Sequence, residues 1–546
     1  MIVPVAQVEC NSSAQVNSSV GRMPFMSTYK ERFIAWVIFL AVLMVYLGFL
    51  TKNYYWDGVD FARTIESTSS LSSSLIHPNH LIYNVVGYLV YKCALGIGLD
   101  VRAIAALQVT NSILSALSAF VLFHILRISI RSIYLATVLT LLFSFSATWW
   151  RFSTDADAYI PSVLFLLVSF YLVLPGHEPK PLLAGLTHAV SMMFHQLAVF
   201  FFPVIAIGIF LQTSAFALRN RIWRMVQYGV VAFLIAFGTF YLCFYLQTAN
   251  PNFRSLAGWL TSYSSEVGFV FNVKESVIYT MRGHIRLLFG GRFNFVGEVI
   301  SPFTVTLTGV WIIACVALVI QMIRKPQENR VERERINHRT QLVVLCVVWA
   351  TFYLVFLFFW IPQNTFYRLF YLPSLVVLSG VLLKRLEFSD MRRWRAALLA
   401  IIVALSNFLF LIYPYAQVRK NTPLFLALEM NNIWSEKTVV YFSQRSSDSA
   451  LFSYFNPTTT WKKVESIETE EFENELKQIY SNGGTVWLET SAFNQIDRQE
   501  GGQQWLIAHS REQSTYKLTD PAYDVRLVQI LPRSYITNSR SLASHL

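Results

Sequence analysis

Two short acidic stretches carry residue types suited to proton transfer. Asp57 and Asp60 lie in N53-Y-Y-W-D-G-V-D-F61, and Asp155 and Asp157 in W149-W-R-F-S-T-D-A-D-A-Y159. A partly desolvated carboxylate has a raised proton affinity and can act as a general base toward a hydroxyl. Asp57 suits that role, and its alternative is a solvated acid that ends a helix. Asp60 reads as a plain loop carboxylate. In an extended loop, residues i and i+2 point the same way. Asp155 and Asp157 could therefore share a divalent cation, Mg or Mn, with Asp57, although no cofactor is required. If a helix starts near 157, Asp157 instead caps its N-terminus; that account fits Asp155 less well.

Histidines and arginines supply the complementary chemistry. His77 and His80 straddle a proline in H77-P-N-H-L-I-Y83. Imidazole can hydrogen-bond a phosphate or a hydroxyl and changes charge near neutrality; the alternative is a turn with interfacial histidines. His188 and His195 fall on one helical face of G185-L-T-H-A-V-S-M-M-F-H-Q196. Polar groups inside a membrane segment are costly. His195 and Gln196, near the outer end, could line a cavity, whereas His188 suits a bond to a neighbouring helix. Arg368, in N364-T-F-Y-R-L-F-Y371, sits where a span re-enters and either pairs with a phosphate or snorkels to the interface. Arg286 and Arg292 are lesser candidates of the same kind.

The elements that must position these groups are membrane helices. The 546 residues are 54% hydrophobic and 14% charged, with a mean hydropathy of +0.44. Soluble domains are usually about 25% charged. The net charge of +12 could serve nucleic acid, but the basic residues cluster between apolar runs, which excludes that class in favour of membrane orientation. A span needs about 20 apolar residues. Runs of that kind occur at about 33–50, 103–126, 131–149, 158–174, 182–197, 198–214, 226–247, 301–323, 341–361, 367–384 and 395–415. The segment 81–98 carries Asn84, Lys92 and three glycines. Taken as interfacial, it leaves every basic cluster on the side of the N-terminus, the cytoplasm.

The expected fold is thus a polytopic α-helical membrane protein of about eleven spans with a small extracytoplasmic α/β domain. Residues 1–30 form a flexible cytosolic lead-in. Residues 31–415 form the membrane domain, with an interfacial helix at 78–98 and external loops at 51–102, 150–157 and 248–300. Residues 416–546 follow outside. There, KTVVYF (437–442), GTVWLET (484–490) and VRLVQILP (525–532) read as strands and EEFENELKQIYSNGG (470–484) as a helix closed by glycine. The five cysteines show no metal spacing and imply no disulfide framework. The N-terminus is expected in the cytoplasm, and the membrane is expected to be a bacterial inner membrane.

An external Asp just after the first span, an interfacial segment in the first loop and a second acidic external loop resemble the GT-C superfamily of membrane glycosyltransferases. More narrowly, D57-G and H77-P-N-H-L-I-Y-N-V-V-G87 resemble the Asp and His-Pro-Pro-Gly-Tyr-Pro-Leu-Tyr pattern of the protein O-mannosyltransferase-like family. F145-S-A-T-W-W and D157-A-Y159 are similar to its Trp…Glu-Val-Tyr motif, and G185-L-T-H with H195-Q to its Gly-Leu…Asn-His stretch. Asn79 replaces a proline and Asp157 a glutamate. The resemblance covers roughly residues 33–215. It implies a polyprenyl-phosphate sugar as donor and a protein, lipid or polysaccharide acceptor. Asp57 would be the base, Asp155 and Asp157 would assist it, and His77, His80, Tyr159, His195, Gln196, Arg368 and Arg292 would hold donor or acceptor. Direct displacement would invert the anomeric carbon. The other classes open are a transporter or flippase of lipid-linked sugars and a non-catalytic envelope assembly factor.

Overall fold

The computed structural model describes residues 29–532 apart from 176–177, 213–216, 249–250, 263–268, 270, 291–329, 386–389, 432–436, 444–447, 465–469, 500 and 521–522. The expected lead-in, the run at 301–323 and Arg292 lie outside the described residues.

Apolar composition makes helices here because a backbone in hydrocarbon must satisfy its own polar groups. Helix α1 covers Tyr29–Gly48. An amphipathic α2, Trp56–Ser67, follows, and then α3, Tyr83–Gly96. At 1.5 Å per residue, α3 is about 21 Å long, short of the ~30 Å hydrocarbon core. It begins at 83 rather than 78, because Pro78–His80 form a separate 3₁₀ turn. The long α4 runs Ala103–Ile130. Next, α5, Ile133–Ser144, and α6, Ala147–Ser153, are bent by 66° at their junction. Helix α7 is Tyr159–Tyr171, α8 is Pro181–Phe194, α9 is Phe202–Gln212 and α10 is Leu218–Gln247. The region read as the loop 248–300 contains two helices, α11 at Phe253–Thr261 and α12 at Val273–Leu288. Further helices cover Arg330–Phe359, Leu372–Arg385 and Asp390–Asn407.

Among the described residues, five helices are long and apolar enough to cross a membrane, or six if the α5–α6 pair is one span. Four shorter apolar helices complete the bundle. The chain reverses at His195, where His188 Nε2 donates to the Ala198 carbonyl at 2.8 Å, so α8 and α9 form a hairpin. Tyr228 of α10 donates to His188 Nδ1 at 2.7 Å; His188 is a helix clamp.

The helix ends sort into two groups. At one end Glu31 pairs with Arg127 at 2.5 Å and Arg224 with Glu178 at 3.1 Å. At the other, Lys52 N–H donates to the Tyr415 carbonyl at 2.6 Å and Thr51 N–H to the Thr154 carbonyl at 3.2 Å. The ends of α1, of α6 and of the helical stretch before 416 therefore meet.

After residue 416 lies a five-stranded sheet of order β2-β1-β3-β5-β4. Its strands are β1 Thr438–Phe442, β2 Thr460–Lys463, β3 Thr485–Glu489, β4 Ser510–Asp520 and β5 Tyr523–Ile530. The first three are parallel, and β4 and β5 join antiparallel. The helix Glu470–Ser481 buries Phe472 and Leu476 with Val486 and Leu488 of β3. Sequence alone reads three of these strands; β2 is short and mostly exposed, and β4 is strongly polar.

Candidate active site

Asp57 is not in a loop. It is the second residue of α2 and is 7% exposed. Gly58 lets the start of α2 rest on the Asp155–Asp157 loop, because a Cβ at 58 would fall inside contact distance of the Ala156 carbonyl oxygen. Burial, with Asp60 and Asp155 nearby, pushes the Asp57 carboxyl up to about 7. Asp60, read as a plain loop carboxylate, is exposed one turn further along α2 and contributes through its charge.

Asp155 and Asp157 are both fully buried, but they differ in their bonding. Both Asp155 oxygens are occupied, Oδ2 by the Tyr55 N–H at 2.9 Å and Oδ1 by the Ala156 N–H at 2.8 Å. Burial pushes Asp155 up to about 6 against those two bonds. Asp157 Oδ1 accepts from the Ala158 N–H at 2.8 Å, while Oδ2 has no partner among the described residues. It does not cap α7, whose N-cap is Ala158. Burial first, then Asp57 and Asp155, raise its carboxyl well above the usual range. The proton is therefore held more tightly on Asp157, and Asp57, nearer solvent, is the acid of the pair that ionises near neutrality.

Helix α4 fixes this loop. Gln108 Nε2 donates to the carbonyls of Thr51 and Thr154, each at 2.8 Å. Asn111 Nδ2 donates to those of Asp155 and Asp157 at 2.8 and 2.7 Å. Amides inside an apolar helix were the sequence signal for these two residues, but nothing local pointed to their targets.

The histidines form a second wall. His80 lies 4.7 Å from His195 and 5.6 Å from His77 between ring centroids. Tyr159 lies 5.1 Å from His195 and 6.1 Å from His80, and stacks on Phe366 at 5.0 Å. His77 Nδ1 accepts from the Asn79 N–H at 3.3 Å. Burial and His77 push His80 down to about 3, so it is neutral. His195 Nδ1 accepts from the Leu197 N–H at 3.1 Å, which assigns the proton to Nε2, and that buried N–H has no acceptor. Gln196 points elsewhere, donating to the carbonyls of Pro78 at 2.9 Å and Leu260 at 3.3 Å.

Arg368 stands on the 3₁₀ turn Phe366–Phe370, fully buried, so it does not snorkel. It donates to the Pro362 carbonyl at 2.6 Å and to Tyr371 Oη at 3.0 Å. Tyr371 Oη also lies 3.1 Å from His284 Nε2. Arg368 Nε has no partner, and among the described residues no carboxylate pairs with the guanidinium. Gly283 of α12 packs directly against it. Arg286 offers its carbonyl to Thr148.

Among the described residues no three His, Cys, Asp or Glu side chains could hold a metal ion, and both Asp155 oxygens are committed to the backbone.

No family model and no curated protein matches the chain. Among solved structures, the chain is similar to ArnT from Cupriavidus metallidurans bound to undecaprenyl phosphate. The identity is 12% over 91% of this chain and 97% of that one, with a TM-score of 0.52. ArnT from the same organism in the apo state aligns at 11% identity over the same shares, with a TM-score of 0.46. The likeness is one of fold and does not reach the protein O-mannosyltransferase-like family. What the likeness shows is the fold: this chain is folded like ArnT.

Proposed function

We propose that the chain is a membrane glycosyltransferase that moves a sugar from a polyprenyl-phosphate donor to an acceptor hydroxyl on the extracytoplasmic side. Asp57 carries the reading. It is a nearly buried carboxyl whose proton affinity lies near neutrality, beside a second acid that burial and the neighbouring carboxylates hold further toward its protonated form. That is the state a general base needs. Asp57 takes the proton of the hydroxyl as the oxygen bonds to the anomeric carbon. The bond from that carbon to the phosphate oxygen breaks, and polyprenyl phosphate departs with the electron pair. A single displacement inverts the configuration. Arg368, buried with no carboxylate partner among the described residues, offers its charge to the departing phosphate. His80 and the Nε2–H of His195 offer uncharged hydrogen bonding to sugar oxygens.

Undecaprenyl phosphate bound to the ArnT neighbour supports the donor class. The reading carries with it an N-terminus inside and residues 416–546 outside. Arg127, Arg131, Arg219, Arg221 and Arg224 stand at the end of the bundle opposite Asp57, as the positive-inside rule asks.

The test is release of polyprenyl phosphate by protein in lipid vesicles supplied with undecaprenyl- and dolichyl-phosphate sugars and an envelope extract as acceptor source. Wild type is expected to turn over, and Asp57→Asn to lose roughly 10²–10⁴-fold. An undiminished Asp57→Asn sinks the base assignment. Movement of intact sugar-lipid across the vesicle without release favours a transporter.

A further inference from the structure

Glu66 ends α2 and takes no part in the displacement above, yet four donors converge on it. Its Oε1 accepts from Tyr454 Oη at 2.6 Å, from the Ala103 N–H at 2.7 Å and from Arg102 Nε at 2.9 Å. Its Oε2 lies 2.9 Å from Arg102 Nη2. Burial opposes ionisation, but these bonds hold the carboxyl below its usual range. Arg102 also donates to the Tyr454 carbonyl at 3.0 Å and lies 4.0 Å over the Tyr454 ring. Tyr91 is the other titratable group whose field Glu66 shares.

The donors come from two parts of the molecule, the start of α4 and the helix Asp448–Phe455. Ala103 is the first residue of α4, so the carboxylate caps that helix at its positive end. Helix α4 is the element whose Gln108 and Asn111 hold the Asp155–Asp157 loop. Tyr454 belongs to the helix Asp448–Phe455 of the C-terminal domain. It packs in one apolar cluster with Val59, Ala62 and Ile65 of α2. Phe455 beside it stacks on Tyr54 at 5.3 Å.

We infer that Glu66 is a positioning residue through which the C-terminal domain holds α2, and with it Asp57, against the Asp155–Asp157 loop. The inference rests on the reading of Asp57 as the base. Loosening Glu66 lets α2 and α4 part. Water then reaches Asp57, and the charges it faces, Asp60 on its own helix and Asp155 and Asp157 across the gap, recede or are screened. The proton affinity of Asp57 falls toward that of an ordinary carboxylate, and the base loses its placement.

The test uses the full chain in lipid nanodiscs, with Tyr454→Phe, which removes only a hydroxyl, and Glu66→Gln. Backbone hydrogen exchange needs no substrate. Both variants are expected to exchange at least about 5-fold faster at 55–60 and at 154–158, since local opening sets that rate. In turnover, kcat is expected to fall about 5–50-fold with the donor KM unchanged. The acid limb of the pH–rate profile is expected to move to lower pH. If Glu66→Gln proves unfolded, Tyr454→Phe decides alone. Unchanged exchange at 154–158 overturns the link. A uniform loss of rate with an unmoved acid limb also overturns it, because lost stability alone gives that. A wild type inactive on every donor sinks the glycosyltransferase reading instead, and the exchange result still decides the link.

Discussion

At the scale of single residues, the three acids behave as a set because burial, which penalises the charged form, raises all of them. Turnover is therefore expected to fall as pH drops through about 7, where Asp57 takes up its proton. A rate profile flat from pH 8 to 5 contradicts this. The same shifts act on stability. Groups whose folded proton affinity is raised contribute stability that is full below the ordinary carboxylate value, about 4. That contribution is lost as pH rises through about 6 for Asp155 and about 7 for Asp57. Asp157→Asn removes one member of the set. The variant should lose less melting temperature than wild type between pH 4 and pH 8, as scanning fluorimetry would record; a larger loss argues against a protonated Asp157. Arg368 makes the converse case, a buried cation with no carboxylate partner among the described residues. Arg368→Met is expected to raise the donor KM about 10-fold or more while melting no lower than wild type, since an uncompensated buried charge costs stability. A variant that loses both activity and melting temperature assigns Arg368 to the scaffold.

At the scale of elements, the approach of α2 to the acidic loop depends on the missing side chain at 58. Gly58→Ala is expected to cut turnover about 10-fold or more by pushing α2 off Ala156, an effect on placement of the base. An active Gly58→Ala would show that α2 can shift without cost. Elements and acids differ in how far the sequence reveals them. Hydropathy shows α1, α4 and α10 because lipid imposes composition on every residue of a span. Asp57, Asp155 and Asp157 stand out as carboxylates at the ends of such runs. That Asp57 starts a helix is hidden by its aromatic neighbours, which read equally as an interfacial belt. The contacts of Asn111 with the 155–157 carbonyls and of Glu66 with Tyr454 join distant parts of the chain. No local pattern encodes such pairs; they follow from packing.

At the scale of the whole molecule, the two groups of helix ends make a topological prediction. In a cysteine-free background, Ser70→Cys, exposed beside α2, should react with an impermeant thiol reagent added outside intact cells. Asn220→Cys, exposed at the start of α10, should react only after permeabilisation. The opposite pattern reverses the orientation and moves the acids into the cytoplasm. The helix Asp448–Phe455 packs on α2 through Tyr454, so the region after residue 416 reaches the element that carries Asp57.

The hairpin at His195 has a consequence for the lipid itself. Helices α7, α8 and α9 have 13, 14 and 11 residues, about 16–21 Å each at 1.5 Å per residue. They stand in one bundle with the 28 residues of α4 and the 30 of α10. A bilayer of ordinary thickness cannot match both lengths at once, and mismatch is relieved by local thinning. Thinning beside the exposed faces of α8 and α9 would bring the polar headgroups closer to the His195 end of the hairpin. A long-chain donor can then present its phosphate to the cavity without lifting its tail out of the membrane, and turnover should fall in vesicles of long-chain lipids relative to short-chain ones.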